Sequence, residues 1–156
     1  MHEYLWAKQR NKTSPAKAFL YLWDHTLPGP NAERLGAFHT AEVPYVLNTL
    51  DISDRPFTDA DRKAAAMASS YWANFAKTGD PNGPGLPVWP AIGDKPEITQ
   101  VGDKNAPVPA ASTAAQSAFW ERFLICAPLA QAQPFTWAVI RRIVGRLEMY
   151  EIGQFF

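Results

Sequence analysis

From Ala18 to Trp23 the chain is apolar at every position, Ala-Phe-Leu-Tyr-Leu-Trp, before Asp24. As a strand it would turn Phe19, Tyr21 and Trp23 to one side and Leu20 and Leu22 to the other. Both faces then want burial, which is the pattern of an interior strand of a parallel sheet covered by helices. No second strand of comparable quality is evident. Glu97-Ile98-Thr99-Gln100-Val101 is short and alternating, and Tyr45-Val46-Leu47 is shorter still. The pattern therefore predicts a central strand without a sheet to hold it.

Helical spacing dominates elsewhere. Glu3 to Lys12 reads as a short helix with a basic end, broken by Ser14-Pro15. Thr58 with Asp61 three residues on is a variant of the capping box. It opens a helix from Asp59 to Lys77 whose Ala64, Met67, Ala68, Tyr71, Trp72 and Phe75 form an apolar stripe. Arg62, Lys63, Ser70 and Asn74 make its polar face, and Gly79 supplies a left-handed cap. Ser112-Thr113 is suited to cap a helix carrying Ala115, Phe119, Trp120 and Phe123, with Glu121 and Arg122 outward. Pro134 to Tyr150 reads as a basic amphipathic helix docked on the body. Between Pro81 and Pro109, dense proline and glycine predict ordered loops without a regular element, with Trp89 as a packing anchor.

Composition narrows the class. At 156 residues, 47% hydrophobic and 13% aromatic, the chain can bury a core. Fifteen basic and fifteen acidic residues cancel, so no nucleic-acid partner is expected. The single cysteine, Cys126, excludes an internal disulfide and a cysteine metal site and reads as a small buried apolar residue. The N-terminus has no basic start and no apolar signal region, and no apolar run has membrane-spanning length. The chain reads as soluble, with its compartment open.

Three histidines carry the candidate chemistry. Their spacing suits no metal site. His2 lies at the terminus, and His25 reads as a hydrogen-bonding residue at the end of the strand. His39 stands in the short loop Gly36-Ala37-Phe38-His39-Thr40-Ala41-Glu42-Val43-Pro44-Tyr45-Val46, where an imidazole is suited to proton transfer.

That stretch, with Tyr21-Leu22-Trp23-Asp24-His25, Leu27-Pro28-Gly29-Pro30, Tyr71-Trp72-Ala73-Asn74-Phe75-Ala76-Lys77-Thr78-Gly79-Asp80-Pro81-Asn82, Trp89-Pro90 and Phe119-Trp120, resembles the C-terminal part of type-B carboxylesterases. The likeness covers about Met1 to Leu124. It implies an α/β class, the C-terminal segment of an α/β-hydrolase fold, helix-dominated, with one central strand before the catalytic-histidine loop. It implies two parts, 1–125 within the hydrolase domain and 126–156 as an extension. By position His39 would be the general base of a Ser-His-Glu/Asp triad, and Glu42 a neighbour that supports the loop by hydrogen bonding. The family's acid lies upstream, so Glu42 is not expected to be that acid.

The nucleophile of such enzymes sits in a Gly-x-Ser-x-Gly elbow earlier in the chain. No Gly-x-Ser occurs in these residues. The resemblance thus implies hydrolysis of a small-molecule carboxylic ester without metal or organic cofactor. The missing N-terminal part of the domain would be the obligatory partner, and this chain would be inactive alone. The competing readings are a non-catalytic interaction or adhesion domain of the same superfamily and an inactive truncated remnant.

Overall fold

A computed structural model describes residues 1–126, the side chains of residues 125 and 126 excepted. The helix expected at Pro134 to Tyr150 and the burial expected of Cys126 lie outside the described residues. Helix α1 spans His2–Thr13 and ends at Ser14, whose extended backbone leads to Pro15. Strand β1 spans Tyr21–Trp23, and its two faces are covered as its pattern requires. Tyr21 and Trp23 enter a core with Tyr45, Ala64, Ala68, Tyr71 and Trp89. Leu20 and Leu22 pack on the opposite side with Tyr4, Leu5, Ile92 and Ile98.

The absence of a sheet is corrected by the structure. β1 pairs in parallel with β2, Glu97–Val101, in the register Tyr21↔Thr99 and Trp23↔Val101. β2 pairs antiparallel with β3, Ala106–Pro109, giving the order β1-β2-β3. β2 is hard to recognise because Thr99, a polar residue, is buried beside Ile98 and Val101, so two covered faces look like weak alternation. β3 is hidden by its prolines, which also refutes the expectation of loops throughout Pro81 to Pro109. Pro107 and Pro109 alternate along an outer strand, where a missing N–H breaks no interior ladder.

Two short helices follow β1: α2, Ala32–Leu35, and α3, Val43–Val46. Tyr45-Val46-Leu47 is therefore helix and turn and not a weak strand; Pro44, in the first turn, fits a helix start. Helix α4, Asp59–Thr78, carries the full capping box between Thr58 and Asp61 and closes at Gly79 in the left-handed conformation. Its buried side is Asp61, Ala64, Ala65, Ala68 and Tyr71. Asn74 departs from the polar face expected of it: its amide bonds the Pro81 carbonyl at 3.2 Å. Trp89 is an anchor, 2% exposed, with its indole N–H on the Leu20 carbonyl at 3.2 Å.

Helix α5, Ala114–Cys126, is capped by Thr113, whose hydroxyl accepts from the Gln116 N–H at 3.1 Å. Its facing differs from the expected one. Glu121 turns toward α1 and meets Lys8 at 3.7 Å, and Leu124 joins the packing on α1. Phe119 and Phe123 face outward, their rings stacked 5.9 Å apart. Among the described residues no helix is long and apolar enough to cross a membrane.

Candidate functional site

The turn between α2 and α3 carries His39. Gly36 ends α2 with φ +56°, and Thr40 follows His39 with φ +70°, so the chain reverses sharply around the imidazole. The Ala41 N–H bonds the Phe38 carbonyl at 2.9 Å and closes the turn. Ala41 is wholly buried, whereas His39 and Thr40 are exposed. A small buried residue thus pins the turn, and His39 lies in its exposed part.

Glu42 points elsewhere. Its Oε1 accepts the Tyr21 hydroxyl at 3.5 Å, which ties the turn to β1. Burial and the Glu42 carboxylate both raise the Tyr21 pKa, so that hydroxyl stays a donor. The structure therefore brings Glu42 to the strand beneath the turn, while His39 stands on its outer side.

Under the turn lies a polar cluster that sequence reasoning found only in pieces. Asp61 Oδ1 accepts from the Tyr45 hydroxyl at 2.7 Å and from His25 Nε2 at 3.0 Å. Its Oδ2 accepts from the Thr58 N–H at 2.7 Å and the Thr58 hydroxyl at 2.6 Å. Four bonds match the acceptor capacity of one carboxylate. His25 Nδ1 meets Asp103 Oδ1 at 2.6 Å. With a carboxylate facing each ring nitrogen, the protonated imidazole of His25 can donate to both.

The electrostatics agree. Burial alone would lower the His25 pKa, but the bonds and charges of Asp103 and Asp61 outweigh it and hold it above the ordinary histidine value. Burial alone would raise that of Asp61. The bonds from Thr58, Tyr45 and His25 outweigh this and hold the carboxyl far below its usual range. Burial and the Asp61 carboxylate push the Tyr45 hydroxyl up.

The sequence marks His25 as a hydrogen-bonding residue and Asp61 as part of a helix cap, but does not mark them as partners. Asp103 carried no local signal. It reaches His25 from 78 residues away because β2 lies beside β1. A groove of about 240 Å³ between α1, β1 and α4, lined by Trp6, Phe19, Trp72 and Phe75 among others, excludes His39. No group of three or more His, Cys, Asp or Glu among the described residues is set to hold a metal ion.

The described residues thus form a mixed α/β segment in which His39 lies on an exposed turn. The chain belongs to the carboxylesterase family, whose model matches residues 2–120. It is 30% identical over 115 residues to cocaine esterase of Homo sapiens, covering 71% of this chain and 20% of that protein. It is 35% identical over 112 residues to phenmedipham hydrolase of Pseudarthrobacter oxydans, covering 67% of this chain and 22% of that protein. With liver carboxylesterase 1 of Oryctolagus cuniculus it shares 49% over 45 residues, 29% of this chain and 8% of that protein. The chain thus spans about a fifth of the length of the first two relatives.

Proposed function

We propose that this chain is the C-terminal segment of an α/β-hydrolase and supplies the general base, His39, of a serine-type carboxylic ester hydrolase. Residues 1–125 form the hydrolase segment in this reading, and 126–156 an extension of it. The observation that carries the proposal is the family match spanning the turn with its outward histidine. A base that must meet a serine held by another part of the domain belongs on the outside of the segment that bears it.

In the assembled enzyme His39 takes the serine proton as the hydroxyl attacks the ester carbonyl. It then returns that proton to the departing alcohol. A water repeats the exchange and releases the acid from the acyl-serine. The serine, the oxyanion donors and the orienting acid come from the preceding part of the domain, which these residues do not contain. Neither a metal nor an organic cofactor is needed for these steps. Glu42, held on Tyr21, supports the turn without orienting the imidazole.

The test is complementation with the preceding part of a related carboxylesterase. The isolated chain should hydrolyse p-nitrophenyl acetate no faster than its His39→Ala variant. In the complemented enzyme His39→Ala should cost roughly 10⁴ to 10⁶ in kcat, while Glu42→Ala leaves a substantial part of the activity. Equal collapse in both variants would show that the acid is Glu42. Full activity without His39 would end the hydrolase assignment of this turn.

A further inference from the structure

We propose that His25 is a positioning residue for the His39 turn, acting through Asp61 and Tyr45. This rests on the reading of His39 as the general base, and it adds a residue that never meets substrate. The geometry is a relay of two contacts that ends on α3. His25 Nε2 lies 3.0 Å from Asp61 Oδ1, the same oxygen takes the Tyr45 hydroxyl at 2.7 Å, and Tyr45 stands in α3 at the end of the turn.

Tyr45 has no exposed surface, and its ring lies 5.0 Å from the His25 ring, edge to face. The Tyr45 N–H bonds the Glu42 carbonyl at 3.0 Å, and Val43 N–H bonds the Thr40 carbonyl at 3.2 Å, so a shift of Tyr45 is carried back along the turn. Asp61 itself cannot move freely, because Thr58 fills its other oxygen. His25 thus shares with Tyr45 the one oxygen of Asp61 that Thr58 leaves open, and so helps to hold that oxygen in place for the tyrosine hydroxyl.

The charged and titratable groups around this relay come from each element packed on it. Asp103 comes from the β2–β3 turn and Asp61 from α4, with Tyr45 from α3. Asp24 precedes His25 and accepts the Asp103 N–H at 2.7 Å. Lys104 acts on Asp24, and Arg55 on Tyr45, by charge. Asp103 is more than half exposed, so water can replace its bond to His25, whereas among the described residues only His25 and Tyr45 reach Asp61 Oδ1.

The experiment is hydrogen exchange on the full 156-residue chain, wild type against Tyr45→Phe and His25→Gln. Both variants should exchange the amides of residues 41–46 about tenfold faster or more, while those of residues 68–75 in α4 keep their protection. Asp103→Asn should change the turn by no more than about threefold. Unchanged turn amides overturn the proposal. So does a turn already unprotected in the wild type, or an opening of turn and α4 together, which would make the cluster structural only.

In the complemented hydrolase the same two variants should lower kcat about tenfold to a hundredfold at nearly constant KM, the cost of a displaced base. Wild-type kcat in both, with His39→Ala inactive, overturns this inference and leaves the hydrolase reading standing. An enzyme indifferent to His39→Ala overturns that reading instead, and the exchange result stands apart from it.

Discussion

Tyr45 donates its hydroxyl to Asp61 at 2.7 Å, and that bond joins the turn bearing His39 to the first turn of α4. Asp61 serves two purposes at once. It completes the capping box of a twenty-residue helix and it anchors the candidate catalytic turn. The fold and the site therefore share a residue.

Removing either carboxylate from His25 should have unequal effects. Asp61→Ala strands a buried imidazolium, a buried tyrosine hydroxyl and an uncapped helix, and should cost about 3–5 kcal/mol. Asp103→Ala removes a half-exposed partner and should cost no more than about 1 kcal/mol. Thermal midpoints at fixed protein concentration check this. Equal losses would mean that the short Asp103 contact, and not the Asp61 hub, holds the cluster.

Stability should depend on pH in two opposite ways. The raised His25 pKa means that its contribution is full below the ordinary histidine value, about 6.5, and is lost as pH rises through the folded value. The lowered Asp61 pKa means that its contribution is full above about 3.9 and is lost as pH falls toward the folded value. A plateau between about pH 4 and 6.5 is expected, with a decline above it. His25→Gln should abolish the alkaline decline. A decline that survives in that variant would place its origin in another group.

What could be read from the sequence follows physical locality. α4 was legible in full because Thr58, Asp61 and Gly79 are signals within a turn of their helix ends. β1 was legible because both of its faces are apolar. β2 was not, since Thr99 buries a polar side chain, and β3 was not, since Pro107 and Pro109 normally argue against a strand. The facing of α5 was misjudged because Phe119 and Phe123 are apolar yet outward, while Glu121 turns to Lys8. Of the site, the motif around His39 could be read directly. The His25 cluster could not, because Asp103 becomes a neighbour only after β1 and β2 pair.

Gly102 sits where that pairing meets the cluster. Its φ is +131°, and a Cβ there would lie 2.5 Å from Asp24 Oδ1 and 2.8 Å from the His25 backbone nitrogen. Gly102→Ala should therefore push the β2–β3 turn off β1 and withdraw Asp103, costing about 1–3 kcal/mol from the backbone conformation alone. The loss should exceed that of Asp103→Ala, and a double variant should fall short of the sum, because both remove one contact. Strict additivity would show that Gly102 acts only through its own strain.

The two outer strands differ in a way that says where the sheet continues. β3 carries Pro107 and Pro109 on its margin, and such an edge resists further pairing. Among the described residues β1 stands at the other end of the order, and Tyr21, Leu22 and Trp23 along it are all apolar or aromatic. Among the described residues the buried Trp23 indole N–H beside it has no hydrogen-bond partner, an arrangement that costs about 1–3 kcal/mol. Trp6 and Phe19 line a groove that runs past the start of the same strand. An apolar edge of this kind recruits another strand. The isolated chain should therefore self-associate and bind ANS, and the preceding part of a carboxylesterase should convert it to a monodisperse complex that does not. Trp6→Ser with Phe19→Ser should weaken both outcomes, since they remove apolar surface at that margin. A monodisperse monomer, silent toward ANS, would mean that the edge of β1 is already covered and that the sheet ends there.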